Sequence, residues 1–217
     1  MASTEQTDAC ESQGCGCSGN PVFDGVDPRY RAVLWTVIAI NGIMFVVEMI
    51  AGHMAASQAL QADALDFLGD TLTYGLSLAV IGMAPLIRAR AALLKGISLS
   101  LMGLWVLGST IWRVFVVGVP EAEIMGVIGI LALIANVASV LLLMRYKDGD
   151  ANVRSVWLCS RNDAIGNIAV VAAAAGVWGT GTGWPDLMVA ALMATLFLSS
   201  SVQIIRQSRD EMRFAAA

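Results

Sequence analysis

Three aspartates stand where acids are costly. Asp63, Asp66 and Asp70 fall within Gln58–Ser77, QALQADALDFLGDTLTYGLS, a run that reads as one membrane-spanning helix. A carboxylate near the centre of a bilayer costs about 2.5–3.5 kcal/mol on insertion scales, so these side chains need a partner. At i, i+3 and i+7 they share one helix face with Thr73, Tyr74 and Ser77. A second polar stripe lies in SVWLCSRNDAIGNIAVV, where Cys159, Asn162, Asp163, Gly166 and Asn167 fall at i, i+3, i+4, i+7 and i+8. Asp66 and Asp70, spaced i and i+4, facing Asp163 and a soft or amide ligand, can make a four-ligand cation site. A divalent ion there removes the mutual repulsion of the acids. Without it, one or more takes up a proton. The plainer alternative has the acids pairing with Arg161 or with hydroxyls to hold helices together, but one arginine cannot neutralise three acids. Asn41 and Glu48, seven apart, are weaker cases and can bond across helices. Asp63 lies nearer the outer face and takes a supporting role. His53, the only histidine, reads as an interfacial residue.

The composition says what must position these residues. The chain has 217 residues, 57% hydrophobic and 14% charged, with mean hydropathy +0.71. Soluble domains are about 45–50% apolar and about 25% charged. The expected fold class is therefore an all-α membrane protein, since lipid requires backbone polar groups to be satisfied within the helix. At about 20 residues per span, the length holds six transmembrane helices and little else. The acidic pI of about 4.9 reflects acids inside spans, and nothing suggests nucleic acid binding. The N-terminus lacks the basic and apolar regions of a signal peptide.

Six spans are expected, near 31–51, 57–83, 91–117, 123–144, 153–178 and 184–205, with GTGTG at 179–183 as a flexible connection. Arg29 and Arg31, then Arg88, Arg90 and Lys95, then Arg145, Lys147 and Arg154, then Arg206, Arg209 and Arg213 all fall on one side of that arrangement. Arg113 is the exception among the connections. The positive-inside rule puts both termini in the cytoplasm. The domain reading is a disordered tail over 1–28, a six-helix membrane domain over 29–206 and a short tail over 207–217. Cys10, Cys15 and Cys17 in the first tail would be reduced there, either as a reactive exposed segment or as thiolates that capture a soft metal. With Cys159 in a span, no disulfide framework is implied. At 1.5 Å per residue, Asp66 lies about 13 Å and Asp70 about 19 Å from the outer end of span 2. Cys159, Asp163 and Asn167 lie about 8, 14 and 20 Å from the inner end of span 5. In a core about 30 Å thick, the three acids are at similar levels.

The run S-x-A-L-x-A-D-A-x-x-x-x-x-D, Ser57 to Asp70, resembles the second span of cation diffusion facilitators. Asp66 and Asp70 match that family's pair of metal ligands. Asn41 and Glu48 in span 1 and Asn136 in span 4 are similar to its pattern as well. Span 5 of the family carries His-x-x-x-Asp, and here Cys159 stands at the histidine position before Asp163. The fourth ligand is thus Cys159, Asn162 or Asn167. The resemblance covers all six spans and implies a membrane transporter, bacterial inner or plasma membrane, exporting a divalent cation in exchange for protons by alternating access. It implies a homodimer, which small residues such as Gly96, Ser98 and Gly103 in span 3 would allow. Members commonly carry a cytoplasmic metal-binding domain after span 6, so this chain resembles a short form. Carboxylates with a thiol favour zinc or cadmium, carboxylates with an amide manganese or iron; zinc and cadmium are expected here. The ion is cargo, and no cofactor is expected.

Two other classes fit less well. An intramembrane aspartyl protease could pair Asp70 with Asp163, but Asp70 follows Phe67-Leu68-Gly69 and not Gly-x-Gly. A metal-dependent phosphotransferase would need Gly after Asp66 and an Arg soon after, where Phe67 stands and no Arg follows nearby. A channel would need a continuous polar pore, and only two helices carry strong stripes.

Overall fold

A computed structural model describes residues 27–80, 83, 85–116, 118–148 and 151–216. The tail cysteines Cys10, Cys15 and Cys17 lie outside them. The described chain forms six long helices: α1 (Pro28–Met54), α2 (Gln58–Ala79), α3 (Pro85–Phe115), α4 (Ala122–Leu143, then a 3-10 turn over Met144–Tyr146), α5 (Ala151–Thr180) and α6 (Trp184–Ala216).

Local chemistry sets most of the ends. The Asp27 carboxylate accepts the Arg29 N–H at 2.7 Å, and Pro28 opens α1 with a nitrogen that has no hydrogen to leave unpaired. Ser57 caps α2, its hydroxyl accepting the Leu60 N–H at 3.1 Å. Pro85 is the first residue of α3. Gly181, at φ +64°, closes α5 with the left-handed turn that glycine adopts without strain, and its N–H donates to the Val177 carbonyl at 2.8 Å.

Five of the six helices are long and apolar enough to cross a membrane. The sixth, α2, carries the three aspartates along its 22 residues and packs against α1, α3, α5 and α6. The chain is a multi-pass membrane protein, apolar outside and polar within. Trp35, Trp105, Trp112, Phe115, Trp178 and Trp184 are all more than half exposed, whereas Asn41, Glu48, Asp63, Asn136 and Asn167 are buried. The α1–α2, α3–α4 and α5–α6 connections meet on one face. There the Glu121 N–H donates to the Ala55 carbonyl at 3.0 Å, and Gly183 packs on Gly118 and Pro120.

The helices fall into two groups. In one, α1 packs on α2 and α4, and α5 packs on α4 and α2. In the other, α3 and α6 run antiparallel in close contact, Gly96 against Ile204 and Ile205 and Gly103 against Phe197 and Leu198. The sixth span was expected to end near Ile205. Instead α6 continues to Ala216, 33 residues in all, about 50 Å at 1.5 Å per residue. Its last turns are held in part by Gln207, whose amide donates to Glu211 at 2.9 Å.

Candidate cation site

The helical rise from the Ser57 cap carries Asp66 and Asp70 to the middle of α2, one turn apart on the same face. Tyr74, one turn further on, is fully buried, and its hydroxyl donates to Asp70 Oδ2. The same hydroxyl lies 3.2 Å from Ser160 Oγ on α5. That bridge ties the acid-bearing stretch of α2 to the polar stripe of α5. Three residues beyond Ser160, Asp163 lines the same cavity surface as Asp66 and Asp70. Carboxylates gathered there repel one another unless a proton or a cation stands among them.

These groups form one wall of a cavity of about 570 Å³ enclosed by α2, α3, α5 and α6. From α2 come Asp66, Asp70 and Thr73, and from α5 Cys159, Asn162 and Asp163. The facing wall holds Lys95, Ser98 and Met102 of α3 and Phe197, Ser200 and Ile204 of α6. Among the described residues, the charged ones on the cavity surface are the three aspartates and Lys95. Hydroxyls, the Asn162 amide, a thiol and two thioethers supply further donors for an ion. Among the described residues, no three His, Cys, Asp or Glu side chains already stand at metal-ligand spacing.

The other residues singled out by spacing have separate places. Cys159 is a free thiol on the cavity wall. Asn162 lines the cavity near its exposed rim, its Oδ1 3.4 Å from an Arg161 guanidinium nitrogen. Asn167 differs from the expectation. It is fully buried, lies off the cavity wall, and neither polar atom of its amide finds a partner. The physical reason is that α5 is flanked by several helices. One more turn along a widening stripe carries Asn167 off the cavity wall and into the enclosed bundle, level with the turn before Val170 and Val171, which pack on Gly129 of α4. Arg161 does not pair with the acids. It is exposed and lies over the Trp157 ring, 5.4 Å from its centroid. Asp63 lies elsewhere, off the cavity surface, and is buried, as is Glu48 of α1. Both Glu48 oxygens and Asp63 Oδ2 are buried without a donor.

Two features were missed in the sequence. Lys95, grouped there with the loop charges, faces the cavity. Asp186, in the first turn of α6, is 1% exposed and reaches back to the start of α2. It accepts the Ser57 hydroxyl at 2.6 Å, the Gln58 N–H at 2.8 Å and the Ala59 N–H at 2.9 Å. A carboxylate in that position satisfies orphan donors of α2 and complements the positive ends of both helices. It fixes the register of α2, and with it the depth of Asp66 and Asp70. An acid directly after a Gly-rich turn and a proline was the available signal for a helix start, though not for its distant partner.

Residues 87–212 match the family model of the cation efflux transmembrane domain. The chain is 27% identical over 183 residues to the metal cation efflux system protein CzcD of Cupriavidus metallidurans, covering 79% of this chain and 58% of the relative. It is 28% identical over 202 residues to the zinc transporter ZitB of Escherichia coli, covering 86% and 63%. To the cadmium, cobalt and zinc/H(+)-K(+) antiporter of Bacillus subtilis it is 25% identical over 194 residues, covering 82% and 61%. The chain thus spans about three-fifths of the length of the curated relatives it matches.

Proposed function

The chain belongs to the cation efflux family, and on that premise we propose that it exports a divalent metal cation, zinc or cadmium, from the cytoplasm in exchange for protons. The observation that carries the proposal is that Asp66 and Asp70 of α2 and Asp163 of α5 line one cavity large enough for a partly hydrated ion. Relatives named as zinc, cadmium and cobalt transporters, one of them an H(+)-linked antiporter, support the choice of cargo and counter-ion.

In this reading the ion sheds water as it leaves the cavity for the carboxylates. Asp66, Asp70 and Asp163 bind it, and the Cys159 sulfur supplies the soft fourth ligand that favours zinc and cadmium over manganese. Tyr74 holds one Asp70 oxygen and so leaves the other for the ion. Protons and metal compete for the same carboxylates, so uptake of protons and release of metal are one linked event. Access alternates between the two faces, and no covalent bond is made or broken. The basic residues on the face opposite the three short connections support cytoplasmic termini. The working unit is a homodimer, and the metal is cargo in place of any resident cofactor.

The test is flux in liposomes with an imposed pH gradient. Zinc and cadmium should move against the proton gradient, and Asp70→Ala should lower the rate at least about a hundredfold. Flux that ignores the gradient, or that survives Asp70→Ala, sinks the antiport mechanism. Cys159→Ser should slow cadmium more than manganese, and equal rates for both ions would remove the thiol from the site.

A further inference from the structure

Among the described residues, Lys95 is the one positive charge on the surface of the cation cavity. Its backbone is pinned. The neighbouring Gly96 sits so close to α6 that an added Cβ would lie 2.8 Å from Ile205 Cγ1. Lys95 lies about 15 Å from the start of α3, and Asp70 about 14 Å from the end of α2, so the two stand at one level across the cavity. Its charge reaches both Asp70 and Cys159. The flexible four-carbon stem lets the ammonium move within the cavity without moving the helix.

Resting on the metal site argued above, the geometry points to Lys95 as a tethered cation that competes with the transported ion for the carboxylates and so limits how tightly the ion is held. With all groups ionised, three carboxylates and one ammonium leave two negative charges, which one divalent ion offsets. Removing the ammonium leaves the bound ion in a site with one uncompensated negative charge. The ion is then held more strongly, because interactions between charges are amplified in a partly desolvated cavity. A carrier gains nothing from a site that does not let go. An ammonium able to approach Asp70 as the ion departs lowers the barrier to release without blocking access.

The test uses the full chain in detergent and in liposomes, with cadmium and zinc chlorides as probes. Lys95→Gln should lower the Kd for cadmium at least tenfold by calorimetry. In flux measurements it should lower KM and maximal rate together, the signature of slow release. Lys95→Arg, which keeps the charge, should stay within about twofold of the wild type in both. An unchanged or raised Kd in Lys95→Gln overturns the inference, as does a Lys95→Arg variant that behaves like Lys95→Gln. Lys95→Ala provides the same reading if the glutamine variant elutes aggregated. Wild-type protein that binds no divalent metal would instead overturn the proposed function. Metal binding that is normal in the wild type and indifferent to Lys95 overturns only this inference.

Discussion

The two helix groups differ in what they bury. The group of α1, α2, α4 and α5 buries Asn41, Glu48, Asp63, Asn136 and Asn167, several with no partner for their polar atoms. The α3–α6 pair instead brings two backbones together at Gly96 and Gly103 and fills the seam with Ile204, Ile205, Phe197 and Leu198. Close glycine contacts occur in the first group too, at Gly52 and Gly129, so what sets it apart is its buried acids and amides. The cavity lies between them, with the acids on the wall of the first group and Lys95 on the wall of the second. A shift of one group against the other changes how Lys95 and the α3–α6 wall face the acids, with no rearrangement inside either.

Each group can be perturbed where the contrast is sharpest. The largest effect is expected at Asp186, which joins the two. Asp186→Ala leaves the Ser57 hydroxyl and two α2 N–H groups without their acceptor, and should cost about 3 kcal/mol of stability. Asp186→Asn, which keeps one acceptor oxygen, should cost less. Thermal unfolding in detergent measures both, and equal stability of Asp186→Ala and wild type would remove the link between the groups. Glycine-to-alanine changes should then have opposite signs. At Gly103 the new Cβ would stand 3.0 Å from Leu198 Cγ and 3.1 Å from Phe197 Cβ. Phe197 Cβ is fixed to its backbone and Leu198 Cγ can move only by changing its χ1 rotamer, so Gly103→Ala should destabilise by about 1 kcal/mol even after the helix-propensity gain. At Gly126 in α4 the nearest atom would be 3.9 Å away, and Gly126→Ala should stabilise by up to about 1 kcal/mol. The same sign at both positions would show that the α3–α6 seam at Gly103 is no tighter than the surroundings of Gly126. The smallest effect concerns metal binding. Asn167→Ala should leave the cadmium Kd within about twofold of wild type, because the side chain is off the cavity wall. A tenfold loss would return Asn167 to the ligand set.

Much of this was legible in the sequence, for identifiable reasons. Apolar runs of bilayer length give the helices, and Pro28, Ser57, Pro85 and Gly181 mark their ends because each has a local backbone role. That Asp66, Asp70 and Asp163 share one cavity was legible because acids in lipid need partners, and depth along two antiparallel helices can be compared by counting. What could not be read was which neighbour each face meets. Asn162 and Asn167 belong to one stripe, yet one reaches the cavity rim and the other the bundle interior. Lys95 counted as a loop charge because hydropathy ends the span near it, whereas α3 begins ten residues earlier. Asp186 and Ser57 are 129 residues apart, and no local pattern connects them. The run of α6 past Ile205 escaped because hydropathy locates lipid and not the end of a helix. Residues 206–213 are good helix formers in water.

The length of α6 has a mechanical side. It is anchored at one end by Asp186, lies against the cavity near Phe197 and Ile204, and extends on to Ala216. Such a rod is a lever with its fulcrum at the anchored end. A tilt of about 10° about Asp186 displaces Phe197 by about 3 Å and Ala216 by about 8 Å, taking 1.5 Å of rise per residue. The first distance is enough to widen or narrow the cavity at its α6 wall, opposite the acids. The second is large enough to be felt by anything that touches the end of the helix.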